Sequence, residues 1–306
     1  MFYAHHLISL CPCKVLVRHI ERRLLRTVHA ESCEKRLGKL LKSKKALAIP
    51  VTYLILFASL MAIISVTYSF AIVKISARSS LLKASVAKQN MQFLDDAIRS
   101  VAWSSGASEV IYMDDCGGEF KTGPTAKNLV LNLTDEQSFY DLVFNSSVGR
   151  VYYQLEASEF NEDGLFVKGD DRAIINQTAF TVAQLNVGTE GSAKEIILCY
   201  RPLATAAVIG TSNGKPLNFI RVYVLNLNSS ESLMIQGKFY LKATSVNVAS
   251  TESQYEFNRS ISSLALKATS DGKQTAVILP ISSVAEGAVV SLEVLVSNIS
   301  IQRVEV

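Results

Sequence analysis

A long apolar stretch dominates the first third of the chain. Residues 46–73 contain no charged side chain, and as a helix they would cross about 30 Å of hydrocarbon at about 1.5 Å per residue. A helix satisfies all the backbone hydrogen bonds of a single segment in lipid. Pro50 falls in the first turn, where its missing N–H breaks no helical bond. The pattern predicts a transmembrane helix.

From Lys74 the pattern becomes amphipathic and keeps a helical period. Between Val51 and Gly106 there is no Gly or Pro, so nothing in the sequence breaks the backbone at the membrane surface. We therefore predict one continuous helix from Ala48 to Ser104, a membrane anchor that continues as a stalk. The alternative is a membrane helix followed by a separate surface helix. The apolar stripe of the stalk follows helical spacing and contains Leu82, Val86, Phe93, Ala97 and Val101, flanked by Leu94 and Ile98.

Beyond Gly106 the pattern changes to short β-rich runs separated by turns. Near the end of the chain Val290, Leu292, Val294 and Val296 alternate with mostly polar residues, as in a half-buried strand. Asp-Gly at 163–164 and 271–272 and Asn-Gly at 213–214 are typical hairpin turns. These runs predict an all-β region, either one sandwich or two small stacked ones. A single short helix is predicted at 136–144.

The predicted fold class is α+β, and the chain divides into three regions. Residues 1–46 form a basic leader, residues 47–105 the transmembrane helix with its amphipathic stalk, and residues 106–306 a β-rich domain. Three interpretations of the leader stay open. It is a basic amphipathic segment on the inner leaflet, a leader removed after export, or an over-extended translated start.

The distribution of charge indicates the orientation of the chain. The net charge is +4 at pH 7, and the excess of Lys and Arg lies in the first 45 residues, while the remainder is mildly acidic. The β-rich domain therefore lacks the basic surface that nucleic-acid binding requires. Residues 35–45 carry more basic side chains than residues 74–88. The positive-inside rule then places the N-terminus in the cytoplasm and the β-rich domain outside the cell membrane, as in a single-pass protein.

Glycosylation sequons favour the same orientation. An Asn-x-Ser/Thr sequon is a glycosylation acceptor in an exported domain, so we predict glycosylation at these asparagines. The alternative is that the sequons are only Ser-, Thr- and Asn-rich turns. All of them lie beyond the predicted helix, at Asn132, Asn145, Asn176, Asn228, Asn258 and Asn298.

The five cysteines divide between the leader and the β-rich domain. Cys116 and Cys199 lie in the exported part, where a disulfide would add about 4 kcal/mol in the chain-entropy model. Alternatively, Cys199 is a small buried residue of a strand. The other three cysteines and all four histidines lie in the leader. Their spacing matches no common zinc site, so we predict no metal and no cofactor rather than a metal-binding tail.

Motifs for catalysis are missing from the sequence of the β-rich domain. Residues 106–306 contain no histidine, no Gly-Lys-Ser/Thr phosphate loop and no Gly-x-Ser-x-Gly elbow, so we predict that the protein is not an enzyme. Acidic turns at 114–118, 162–164 and 170–171 offer oxygen ligands for Ca²⁺. Their spacing fits no EF-hand loop, which leaves ordinary solvated turns as the alternative. Trp103 is predicted to anchor the stalk on the domain by packing.

The start of the predicted helix resembles the processing region of a known family. Residues 44–51 read Lys-Lys-Ala-Leu-Ala-Ile-Pro-Val and precede an apolar and then an amphipathic helix, which resembles archaeal type IV pilins and archaellins. The resemblance implies a class III signal peptide that a prepilin peptidase cuts after Ala46, leaving Leu47 as the new N-terminus. It also implies a β-rich head and assembly with identical or other pilin-like subunits.

Three functions are compatible with this pattern. The first is a pilin-like structural subunit of a surface filament, or of a related secretion or adhesion apparatus, which assembles through its apolar helix. The second is a permanently anchored single-pass surface protein, an adhesin or envelope component, with an uncleaved helix. The third is a ligand-sensing or hydrolytic ectodomain, which a bound metal or small molecule would favour.

Overall fold

The computed structural model describes residues 48–155, 164–190 and 193–305. One helix, α1 (Ala48–Val101), precedes a β-rich region that we call the head. The strands of the head are β1 (Ser108–Met113), β2 (Glu119–Thr134), β3 (Tyr140–Leu155), β4 (Phe166–Lys168), β5 (Ala183–Glu190), β6 (Ala193–Tyr200), β7 (Leu203–Ser212), β8 (Lys215–Asn226), β9 (Met234–Gln236), β10 (Phe239–Phe257), β11 (Ser263–Ser270), β12 (Lys273–Pro280) and β13 (Ala288–Val304). The predicted α+β class is confirmed at this level.

The helix is continuous, as predicted, and ends at Val101 rather than Ser104. After it the chain tightens into a turn, in which the N–H of Ser104 donates to the carbonyl of Val101 at 3.0 Å. Gly106 then adopts a φ of +82°, a conformation that glycine tolerates without steric cost. This turn directs the chain from the helix into β1.

Two curled sheets make up the head. The five-stranded sheet has the order β1-β10-β13-β8-β7, and the larger sheet has the order β12-β11-β2-β3-β6-β5-β4, with β9 paired to β2. Neighbouring strands are antiparallel except β13 and β8, which run parallel. The alternating residues Val290 to Val296 lie in β13, which is at the centre of its sheet.

One detail of the predicted head is wrong. The short helix expected at 136–144 is a tight hairpin turn into β3. There the carboxylate of Asp135 accepts the N–H groups of Gln137, Ser138 and Phe139 at 2.8–2.9 Å, and Thr134 pairs with Tyr140 across the turn. An aspartate that accepts successive N–H groups starts helices as well as turns, so the local pattern was ambiguous.

Two apolar cores stabilise the compact unit from Val73 onward. The first packs one face of α1 against both sheets, including Tyr153 and Leu198 of the larger sheet and Leu241 and Ile299 of the smaller. The second contains no helix residue and joins the sheets directly. Burying a large apolar side chain contributes about 1.5–3 kcal/mol, so the helix face is a substantial part of the stability of this unit.

The buried face of the helix differs from the predicted stripe. Ala97, Val101, Leu94 and Ile98 are buried as expected, but Leu82 is 67% exposed and Phe93 48% exposed. The buried face instead alternates in steps of three and four residues through Ala84, Ala87, Met91, Leu94, Ile98 and Val101. The small alanines allow close approach to the sheets, which the four- and seven-residue spacing of the predicted stripe did not reveal.

Candidate membrane anchor and its junction with the head

The first part of the helix carries a continuous apolar surface. Every side chain described from Ile49 to Ile72 is exposed, and the helix is long and apolar enough to cross a membrane. Among the larger residues, Tyr53 and Leu54 are exposed near its start and Phe70 near its end. Soluble monomeric proteins rarely expose an apolar surface of this extent. The segment is therefore a candidate membrane span by its length and composition.

Four hydroxyl groups of this segment donate hydrogen bonds within the helix. The hydroxyls of Ser59, Ser65, Thr67 and Ser69 donate to backbone carbonyls three or four residues earlier, at 2.7–2.9 Å. In hydrocarbon an unpaired hydroxyl costs several kcal/mol. These internal bonds make four of the polar side chains of the segment compatible with lipid.

A buried charged cluster fastens the second part of the helix to the head. Asp95 is completely buried in the helix, where it pairs with the ammonium group of Lys168 and accepts a hydrogen bond from the hydroxyl of Tyr200 at 2.9 Å. Lys168 also lies 3.6 Å from Asp96. Burial, followed by the negative charge of Asp95, raises the pKa of Tyr200 well above its ordinary value, so the hydroxyl stays a donor. Sequence reasoning missed this cluster because its members lie on separate elements.

The carboxyl end of the helix is capped by side chains of the head. The carbonyl of Ala102 accepts hydrogen bonds from the hydroxyls of Ser245 and Ser297, and both serines are fully buried. Helix ends leave such carbonyls without an intrahelical partner. Trp103 packs edge-on against Tyr223, with ring centroids 5.4 Å apart and an interplanar angle of 77°. Trp103 thus contacts the head, as predicted, while its side chain stays 44% exposed.

A second ionic cluster, which the sequence did not indicate, fixes the segment before β5. The carboxylate of Asp170 binds the guanidinium groups of both Arg172 and Arg201. Hydrogen bonds from Arg172, followed by those from Arg201, hold the pKa of Asp170 well below its ordinary range. Asp170 is therefore the acceptor of an ion-pair network rather than part of a solvated acidic turn.

The predicted sequons differ in accessibility. Asn145, Asn176 and Asn258 are exposed, and Asn228 and Asn298 are half-buried. Asn132 is only 8% exposed, because it lies in β2 between β3 and β11. Folding therefore leaves some of these asparagines open to modification and covers others.

No disulfide, one of the two alternatives that the sequence left open, joins Cys116 and Cys199, which are both buried free thiols. Cys116 belongs to the first core. In β6 the neighbours of Cys199, Leu198 and Tyr200, face that same core, and successive side chains of a strand point to opposite faces. Cys199 therefore faces away from Cys116, where its thiol donates to the amide oxygen of Gln184 at 3.6 Å. Its interpretation as a small buried strand residue is the correct one.

The remaining candidate residues give no metal site within the described ranges. No group of three or more His, Cys, Asp or Glu residues there could hold a metal ion. In the acidic turn at 114–118, the carboxylate of Asp114 lies 3.5 Å from Lys238, and that of Asp115 accepts the N–H of Gly117 at 2.8 Å. The predicted cleavage residues Ala46 and Leu47, the histidines and cysteines of the leader, and the acidic residues 162–163 lie outside the described residues.

Comparison with known proteins adds no relative to this picture. No protein-family model, curated protein or solved structure matches the chain.

Proposed function

We propose that the protein is a pilin-like structural subunit of a cell-surface filament, or of a related secretion or adhesion apparatus. Its helix holds the subunit in the membrane before assembly and packs against other subunits afterwards. The observation that carries the proposal is the uninterrupted apolar surface between Ile49 and Ile72, all of whose side chains are exposed.

The physical argument rests on what can cover this surface. Each large apolar side chain left in water forgoes about 1.5–3 kcal/mol relative to burial, so the segment is stable only in lipid or against other apolar helices. A bundle of identical helices buries the same side chains that lipid covers. One segment can therefore serve both the membrane-bound and the assembled subunit.

The two parts of α1 differ in what they contact, and the second part packs against the head. Its buried face is occupied by the subunit's own head, through the first core and the Asp95 cluster. Exposed apolar residues on its other faces, among them Leu81, Leu82 and Phe93, extend the surface open to neighbouring subunits. The head is thereby attached directly to the element that assembles.

An extracellular head follows from the proposal. The basic leader would stay in the cytoplasm by the positive-inside rule, and the head would lie outside the cell membrane as a glycosylated β-sandwich. Among the sequons, the exposed Asn145, Asn176 and Asn258 are the expected sites. The buried Asn132 is the one that we expect to stay unmodified in the folded head.

The alternative is a permanently anchored single-pass surface protein, such as an adhesin or envelope component. It is favoured by the same burial of the stalk face, because the head already covers Ala84, Met91 and Leu94. Anchoring alone requires nothing of the helix beyond its apolar length. In this case the leader would remain attached and no filament would form.

The mature N-terminus distinguishes the two functions. Mass spectrometry of protein isolated from the cell surface is expected to find Leu47 as the first residue, the product of a prepilin peptidase cutting after Ala46. Replacing the small residue in Ala46→Phe should block cutting and abolish filaments, whereas Ala48→Phe, beyond the cut, is the matched control. Surface protein that retains residues 1–46 would contradict the filament proposal and support the anchored alternative.

A further inference from the structure

A cavity of about 340 Å³ opens where the carboxyl end of the helix meets the head. It is independent of the apolar anchor, because all of its lining residues belong to the compact unit from Val73 onward. The volume lies at the small end of the range for ligand sites. The residues that matter for its chemistry are Arg99, Trp103, Val182, Leu203, Tyr223 and Leu225.

Two aromatic rings form a corner in this cavity. Trp103 and Tyr223 meet edge-on, at an interplanar angle of 77°, and Trp103 is 44% exposed. An aromatic ring that keeps exposed surface accepts a second flat group in an offset stack or an edge-to-face contact. Val182, Leu203 and Leu225 add apolar side chains to the lining, which Arg99 and Arg201 complete. The cavity therefore suits a flat apolar body.

Arg99 supplies the charge that is available to a ligand. Its side chain is exposed, and within the described residues no salt bridge to it is found. Asp96, one turn earlier on the helix, lies near Lys168 instead. A guanidinium group binds a carboxylate through two parallel hydrogen bonds, which fixes the orientation of the ligand.

The second arginine of the cavity, Arg201, already has its hydrogen-bond partners within the protein. The guanidinium of Arg201 donates to the carboxylate of Asp170 and to the carbonyls of Thr181 and Arg172. Its side chain is completely buried. Arg201 thus stiffens the wall of the cavity and leaves Arg99 as the cation that faces a ligand.

We propose that this cavity binds a small aromatic carboxylate, whose ring occupies the corner of Trp103 and Tyr223 and whose carboxylate pairs with Arg99. A saccharide fits less well, because any hydroxyl placed against Val182, Leu203 or Leu225 would lose its hydrogen bonds, at about 1–3 kcal/mol for each buried group left unpaired. Charge complementarity with Arg99 selects an acid over a neutral or cationic ring.

Trp103 is the only tryptophan in the chain, so its fluorescence reports directly on the cavity. The full-length protein in detergent is titrated with phenylacetate and, in parallel, with the neutral analogue phenylacetamide. We expect a saturable change in Trp103 emission with phenylacetate and about tenfold weaker binding of phenylacetamide, the difference expected for a charge-assisted hydrogen bond to an exposed group.

Two variants and one control test how Arg99 and the apolar lining contribute to binding. Arg99→Gln should weaken phenylacetate binding about tenfold and leave phenylacetamide binding unchanged, whereas Arg303→Gln, an exposed arginine of β13, should change neither. Val182→Phe, which fills the cavity from its apolar side, should abolish binding of both. The proposal is overturned if phenylacetate gives no saturable change, if both ligands bind equally, or if Arg99→Gln binds phenylacetate as the unaltered protein does.

Discussion

Replacing Leu94 by alanine tests which face of the helix holds the head. Leu94 is completely buried in the first core, whereas Leu82, on the same helix, is 67% exposed. The same substitution at both positions changes helix propensity equally, so the difference between the variants isolates the effect of burial. The sequence placed both leucines in or beside one apolar stripe, and the structure separates them.

The expected magnitudes follow from this difference in burial. Removing a buried leucine side chain lowers the free energy of unfolding by about 2–5 kcal/mol, because transfer and cavity terms add. We expect about 3 kcal/mol for Leu94→Ala, since Met91 and Ile98 on the same helix face belong to the same core and restrict collapse of the cavity. For Leu82→Ala we expect a change of at most about 0.5 kcal/mol.

Chemical unfolding of the full-length protein in detergent measures the effect. Trp103, next to the end of the docked helix, provides the signal, and the midpoint and slope of the urea transition give the change in free energy. Equal destabilisation by both variants, or a larger effect at Leu82, would refute the assignment of the buried face. A change in slope rather than midpoint would instead indicate that the helix and head unfold in separate steps.

Three further predictions concern the two ionic clusters. Asp95→Ala should lower the free energy of unfolding by about 2 kcal/mol, because it leaves the buried hydroxyl of Tyr200 without its acceptor. Urea unfolding measures this change. Asp96→Ala is the control and should change the free energy little, because the side chain of Asp96 is 67% exposed. Asp170 has a pKa lowered in the folded state, so its contribution is present above its unfolded pKa of about 3.9 and is lost as the pH falls through the lower, folded value. Unfolding measured between pH 5 and pH 2 should therefore show a shallower loss of stability for Asp170→Asn, and an unchanged slope would contradict the network. Tyr200→Phe should lower stability less than Asp95→Ala in the same assay, because the carboxylate keeps Lys168 as a partner; the reverse order would show that the hydroxyl, not the ion pair, dominates.

The regular elements were largely predictable from local sequence. The helix follows from an uninterrupted run of residues without Gly or Pro, and β13 from the alternation around Val290–Val296. Both signals depend on residues close in sequence, which a helical or extended backbone brings onto one face. The turn at Asp135 shows the limit of this reasoning, because one carboxylate that accepts three N–H groups begins a helix or a hairpin equally well.

The contacts that position the site were not predictable in the same way. The partners of Asp95 lie on β4 and β6, and nothing in the helix sequence marks this carboxylate as buried rather than solvated. The sequence left open whether the two thiols of the head pair, because the direction of each side chain depends on strand register. Register is set by pairing between distant segments, such as β3 with β6.

By itself, the sequence determined that the chain has a long apolar helix followed by a β-rich region. Both features follow from the spacing of apolar residues that are close in sequence. The tertiary structure alone decided which face of the stalk is buried, that Cys116 and Cys199 stay apart, and that Arg99, Trp103 and Tyr223 share one cavity. These three features depend on how segments far apart in sequence pack against each other. That packing is determined by the whole core together and not by any one segment.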